Sequence, residues 1–323
     1  MEIDLVCCFV DGADPAHQAR RLAAWQMALA SGRPGLVNHQ GHYEQAGELT
    51  YAIRSSLTFM PWLRQIIVVT DGQSAPMDRD LLSCGRVRLV SHREFIPADY
   101  LPLFSAPIIE SFLHRIEGLS DVWLYQNDDF LLGGPVAMEE FVSGSGQLAA
   151  RTYPAVLRLA LRHACTAGLA PRGYHNPYTF GIANAVRLLR AEVGLRPWQM
   201  RTPRHFTQVY RKATSQLTER TFVTALERFR RLRFRSFEQL SFSTMVTSME
   251  AVSHGLAAPP PAPRSDRAFF DFADCSTNAE RARMWRRVQH SRARFLCLNN
   301  IPPSERESLV KAMALRGLGG PPQ

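Results

Sequence analysis

Asn127-Asp128-Asp129 is the sharpest chemical feature of this 323-residue sequence, two adjacent carboxylates directly after the apolar run Val122–Tyr125. Carboxylates leaving the end of a buried strand are costly unless something positive neutralises them. A hard divalent cation bridging to phosphate is the usual answer, since magnesium is held by one or two carboxylates plus substrate phosphate oxygens. The alternative, a turn or helix cap, needs no ligand. Two other apolar runs also end in polar residues, at Asp11-Gly12-Ala13-Asp14 and at Thr70-Asp71. His114-Arg115 offers an imidazole and a guanidinium, with Glu110 four residues before His114 and therefore on the same face of a helix. The bland role of such a pair is to complement a helix C-terminus. Arg201, Arg204, Arg233 and Arg235 are candidate phosphate clamps, because the guanidinium fork matches phosphate bidentately. The alternative for each is a solvated surface charge. No glycine-rich phosphate loop follows a strand, and no nucleophile elbow or HExxH motif occurs.

Charge is divided along the chain. Residues 1–150 carry 10 Arg against 18 acids, whereas residues 151–323 carry 26 Arg and 2 Lys against 11 acids, for a net +9. An acidic half beside a basic one suits carboxylates holding a metal while guanidinium groups hold phosphate. A solvated, arginine-rich helical surface is the other reading. The arginines are not interleaved with an aromatic recognition motif, which speaks against nucleic acid as a partner. Cys7 and Cys8 are adjacent and the other four cysteines are scattered. Neighbours on a strand face opposite ways, so the pair does not share a zinc ion, and free thiols in a reducing compartment are expected. The opening MEIDLVCCFVDG lacks the basic start and small-residue cleavage site of a signal peptide, and no apolar run nears the ~18 residues of a membrane span. The expected location is the cytoplasm, with peripheral contact at the inner membrane.

The elements that must position these groups alternate in the first half. Strands are expected at Ile3–Val10, Gln65–Thr70, Val87–Ser91 and Val122–Tyr125, the continuous apolar runs of strands buried on both faces. Helices are expected at Ala16–Ala30, with Leu22, Trp25 and Leu29 on one face, at Glu48–Leu57 and at Pro107–Arg115. Such alternation implies right-handed crossovers and a mostly parallel sheet, whose ligands bind beyond the carboxyl ends of the strands. All three polar strand ends lie there. In the second half, helical patterns cover Val186–Val193, Phe206–Gln216 and Thr221–Phe229. The proline-rich stretch 257–263 reads as an exposed spacer. Asn278–Arg287 reads as a helix, Arg294–Leu298 as a strand, and Pro303–Leu315 as a helix capped by Ser304.

Several segments together resemble the Stealth family, bacterial capsular-polysaccharide hexose-1-phosphate transferases related to the lysosomal-enzyme N-acetylglucosamine-1-phosphotransferase of animals. They are Ile3-Asp4-Leu5-Val6 with Val10-Asp11-Gly12-Ala13-Asp14-Pro15; a long stretch from Gly47-Glu48-Leu49 through Ile67–Gln73 and Leu113–Ile116 to Asn127-Asp128-Asp129-Phe130; Thr202-Pro203 with Arg233–Ser236; and Phe295–Asn299. The resemblance implies an α/β fold, a GT-A-like mostly parallel sheet with flanking helices and a helical, basic C-terminal elaboration. It implies a core over 1–142 that binds nucleotide-sugar, a helical part over 143–256 that completes the site, and a segment over 264–323 that packs back on the core. The implied reaction moves a sugar-1-phosphate from a UDP-sugar to a glycan hydroxyl, leaving UMP and a phosphodiester, with Mg²⁺ or Mn²⁺ as cofactor. By position, Asp128 and Asp129 match the metal and diphosphate site. Asp4, Asp11 and Gly12 match the opening motif near the donor, and Glu110, His114 and Arg115 the donor-proximal helix. Arg235 matches the third-region arginine.

Departures from the family pattern are Gln45-Ala46 for Asp-Asn, Ser105-Ala106 for Asn-Ser, Arg201 for a histidine, Gln239 for an acid, and Asn299-Asn300 for Asn-Asp. With Arg201 in the histidine's place as a substrate-binding residue, His205 or His114 is the expected base. The basic half is expected to hold an anionic polysaccharide acceptor, and a homo-oligomer is a further expectation. The altered positions leave two alternatives, a silent relative that binds nucleotide-sugar or polymer, and an ordinary GT-A glycosyltransferase.

Overall fold

Four apolar runs too continuous to leave a face in water set the centre of the molecule, because only a sheet covered on both sides can hold them. The computed structural model describes residues 1–32, 35–75, 77–169 and 175–319. Along the chain come β1 (Ile3–Cys8), α1 (Pro15–Ala30), β2 (Leu36–Val37), α2 (Glu48–Phe59), β3 (Gln65–Thr70), α3 (Arg79–Ser83), β4 (Val87–Ser91), α4 (Ala106–Glu110), β5 (Val122–Asn127) and β6 (Phe130–Leu132). Then follow β7 (Thr152–Pro154), α5 (Val156–Thr166), α6 (Pro177–Val193), β8 (Arg201–Pro203), β9 (Gln208–Arg211), α7 (Lys212–Thr221), α8 (Val223–Arg230), β10 (Arg235–Ser236) and α9 (Phe242–Ser253). The last elements are β11 (Arg267–Asp271), α10 (Asn278–His290), β12 (Phe295–Asn299) and α11 (Arg306–Leu315).

The main sheet has the order β4-β3-β1-β5-β9. Its first four strands are parallel, with Val6 beside both Ile67 and Tyr125, and β9 closes the edge antiparallel to β5. One face packs Leu5, Ile66 and Leu124 under Leu49, Ile53 and Leu57 of α2. The other packs Val6, Ile67 and Trp123 under Ile182 of α6 and Val246 of α9. This is the expected α/β fold with a parallel-rich sheet and a helical C-terminal half. A second sheet, β11-β12-β6, ties the end of the chain to the strand that follows Asp129, β12 being antiparallel to β6. Among the described residues no helix is long and apolar enough to cross a membrane.

Several expectations are corrected. Leu22 and Leu29 are 59% and 58% exposed, because α1 lies on Tyr43, Phe104 and Phe234 rather than on the sheet, and its covered side is His17, Ala24 and Trp25. The helix expected over Pro107–Arg115 stops at Glu110. Ser111 turns its hydroxyl back onto the Ile108 carbonyl at 2.7 Å, Phe112 is fully buried, and a 3₁₀ turn spans Leu113–Arg115. Glu110 and His114 therefore do not share a helix face. Phe206–Gln216 is not one helix, since pairing with β5 draws Gln208–Arg211 into β9 before α7 begins. Ser304 caps nothing and lies in a 3₁₀ turn before α11. Cys7 is buried and Cys8 half-buried, and all six cysteines are free.

Candidate active site

The polar ends of β1, β3 and β5 open into one cavity of about 810 Å³. Two chain segments bring three acids to one corner of it. Asp128 and Asp129 form the connection between β5 and β6, which must start at Phe130 to pair with β12, and the Leu298 N–H fixes the Asp129 carbonyl at 2.9 Å. The third acid, Glu48, opens α2, and its carboxylate accepts the Ala46 N–H at 2.7 Å. All three line the cavity. Burial first, then the neighbouring Asp129 and Glu48, pushes the Asp128 carboxyl well above its ordinary range. Burial pushes Asp129 up to about 7 against the thiol bond from Cys297, and burial also raises Glu48. Cys297 points its Sγ at Asp129 Oδ2 from 3.3 Å, while Asp129 Oδ1 is buried without a partner.

A corner of crowded, desolvated acids with an orphaned carboxylate oxygen fits a divalent cation. Asp128 and Asp129 could supply oxygens to such an ion, and the ligand atoms of Asp129, His205 and Cys297 lie within 4.8 Å of one another.

Arg235 lines the same cavity from β10 and makes no ion pair among the described residues. Its closest charge influences beyond burial are Tyr43, Glu110 and Tyr125. Glu110 accepts the Tyr125 hydroxyl at 3.2 Å, and burial raises its pKa. His205 stands exposed at the mouth with its ring edge-on to Phe130 at 4.9 Å. The surrounding chain first, then Arg235, lowers its pKa. A second histidine, with no sequence signal, also faces the cavity. His17 Nδ1 meets Asp71 Oδ2 at 3.0 Å, Arg20 holds the same oxygen at 2.6 Å, and His17 Nε2 is buried and unpaired. Burial would raise Asp71, but the bonds from His17 and Arg20 outweigh it and set its pKa at about 2.

Asp128, Asp129, Glu110, His205 and Arg235 are thus brought together, and other expected residues are not. His114 Nε2 meets Glu219 at 2.9 Å and Arg115 bonds the same carboxylate at 3.0 Å, with Arg230 completing a structural cluster outside the cavity walls. Asp4 sits fully buried at the amino end of β1, where Arg64 donates to it at 2.8 Å and the Ser120 N–H at 2.9 Å, so it is at the wrong end of the sheet for the site. Arg201 lies on β8, its N–H on Ser248 at 2.9 Å, outside the cavity lining. Asp11 and Gly12 follow Val10, which lines the cavity, but do not line it themselves. Asp11 receives the Gln73 amide on its carbonyl at 2.7 Å, and a Cβ on Gly12 would stand 2.3 Å from the Tyr43 carbonyl oxygen, which only glycine avoids. The departures Gln45, Ser105, Ala106, Gln239, Asn299 and Asn300 all line the cavity. Sequence reasoning missed His17 and Cys297, and Glu48 was visible only inside Gly47-Glu48-Leu49.

The model of the Stealth protein conserved region 2 matches residues 42–150, which hold Glu48, Glu110, Asp128 and Asp129. Over 317 residues the chain is 30% identical to the exopolysaccharide phosphotransferase CpsY of Mycobacterium tuberculosis, covering 96% of this chain and 55% of that protein. Over 145 residues it is 39% identical to the receptor polysaccharide phosphotransferase WefC of Streptococcus oralis, covering 45% of this chain and 42% of that one. The chain spans about half the length of the curated relatives it matches. Among solved structures it is similar to the WbbM bifunctional glycosyltransferase, with a TM-score of 0.41 and 9% identity over 97% of this chain and 50% of that chain. The chain thus carries the second conserved region of the Stealth proteins and is similar over nearly its whole length to a named exopolysaccharide phosphotransferase.

Proposed function

We propose that this chain transfers a sugar-1-phosphate from a UDP-sugar to a hydroxyl of an acceptor glycan, forming a phosphodiester in capsule or exopolysaccharide synthesis. The observation that carries the reading is one cavity in which three acids lie at one corner and Arg235, without an ion pair among the described residues, lines the wall. The named activities of its relatives support phosphotransfer, in which positioning and charge neutralisation do most of the work. Asp128 and Asp129 would hold a divalent cation, Mg²⁺ or Mn²⁺ in the first instance, which when bound neutralises phosphate charge. Arg235 would grip a diphosphate oxygen and stabilise charge on the transferring group. The acceptor hydroxyl attacks the phosphorus carrying the sugar, that phosphorus–oxygen bond to the nucleotide breaks, and UMP leaves with the electron pair. The hydroxyl proton passes to His17 Nε2, which Asp71 orients through the other ring nitrogen. Residues 1–142 would form the donor-binding core, 143–256 would complete the site through Arg235, and 264–323 would brace the acidic corner. The arginine-rich second half would receive an anionic acceptor at the cytoplasmic face of the membrane.

The test is product analysis. Purified protein with UDP-sugars, Mg²⁺ and oligosaccharide primers is expected to release UMP, and Asp128→Asn to abolish that release. UDP as the product would identify ordinary glycosyl transfer. Donor binding without any turnover would identify a silent relative.

A further inference from the structure

We infer that Asp129, His205 and Cys297 form a three-ligand site for a thiophilic divalent cation, of the kind typified by zinc and cobalt, at the acidic corner. The site's role in the reaction rests on the phosphotransfer reading, but its existence does not. An oxygen-only cage would suit magnesium, which asks for near-octahedral oxygen donors. Here the corner is built otherwise. Cys297 is fully buried on β12, and the pairing of Cys297 with Phe130 across to β6 holds its sulfur beside the residue that precedes Phe130. Its Sγ stands 3.3 Å from Asp129 Oδ2. The His205 ring arrives from the connection between β8 and β9 and rests against Phe130. The three donor atoms lie within 4.8 Å of one another. Zinc bonds of ~2.0–2.3 Å set ligand atoms roughly 3.3–3.8 Å apart, so closing the site needs a shift of about 1.5 Å at most. His205, exposed and on a short loop, is the group able to supply it. Asp129 Oδ1, buried and unpaired, is the second sign that something belongs there. Thiolate and imidazole select zinc-like ions over magnesium, and three protein ligands leave the open fourth position of catalytic rather than structural zinc sites.

Cobalt(II) reads this directly, without any donor sugar. Full-length protein stripped with a chelator and titrated with Co²⁺ is expected to show intense visible bands of a four-coordinate ion and a near-ultraviolet sulfur-to-cobalt charge-transfer band. Cys297→Ser is expected to lose the charge-transfer band. His205→Ala, at a surface position that leaves folding intact, is expected to keep that band while weakening cobalt binding by more than the ~10–100-fold typical of losing an outer-shell partner. A folded wild-type protein that binds cobalt with only the weak spectrum of an octahedral aquo-like ion, or a His205→Ala variant of unchanged affinity, overturns the inference. UMP release with magnesium and no sulfur band would sink this site and spare the phosphotransfer reading. A sulfur band with no UMP release under any metal would do the reverse.

Discussion

His17 is useful to chemistry only through its neighbour, because Asp71 holds Nδ1 and leaves Nε2 buried and without a partner. Replacing it by glutamine keeps a polar group of similar size and removes the proton acceptor. His17→Gln is expected to lower kcat for UMP release by ~10²–10⁴-fold with little change in donor KM. Steady-state rates over a donor series check this, and an unchanged kcat would place the proton acceptor elsewhere. The acidic pair was legible in the sequence because Asp128 and Asp129 are adjacent at the end of an apolar run. His17 was not, because 54 residues separate it from Asp71 and only the packing of α1 beside the end of β3 joins them. Cys297 was set aside for the same reason, since its partner Asp129 is 168 residues away.

At the scale of elements, the four parallel strands of the main sheet were readable because a run covered on both faces has no periodicity to misjudge, whereas β9 was read as part of a helix. The break after Glu110 was not, since it depends on Ser111 serving both its own helix and Arg230, whose guanidinium donates to the Ser111 hydroxyl at 3.0 Å. That break sends His114 and Arg115 to Glu219 and away from the cavity. Glu219 is raised by burial but lowered further by the His114 bond and by Arg230, so its pKa lies below its ordinary 4.5. The sign follows directly: an acid held below its unfolded value stabilises the fold at pH above about 4.5, and the contribution is lost as pH falls. Glu219→Gln, which leaves the nearly buried Arg230 uncompensated, is expected to lose ~3–5 kcal/mol at pH 7. Urea unfolding at pH 7 and pH 3 would show it, with the difference from wild type shrinking at the lower pH. Activity per folded molecule should survive, whereas a selective loss of kcat would return His114 and Arg115 to the chemistry.

For the whole molecule, the division of charge along the chain becomes a division of labour across one cavity, acids from the first half facing Arg235 from the second. The C-terminal sheet makes this possible. Strand β12 lies between β11 and β6, and Leu131, Leu296, Leu298 and Leu309 share one apolar cluster. Removal of residues 264–323 is expected to leave β6 unpaired and that cluster open to water, giving a protein without near-ultraviolet circular dichroism or cooperative melting. A truncated chain that melts cooperatively would show that the core stands alone. Timing is set by the same arrangement: Cys297 leaves the ribosome 168 residues after Asp129. A fragment released before β12 has emerged therefore cannot assemble this corner.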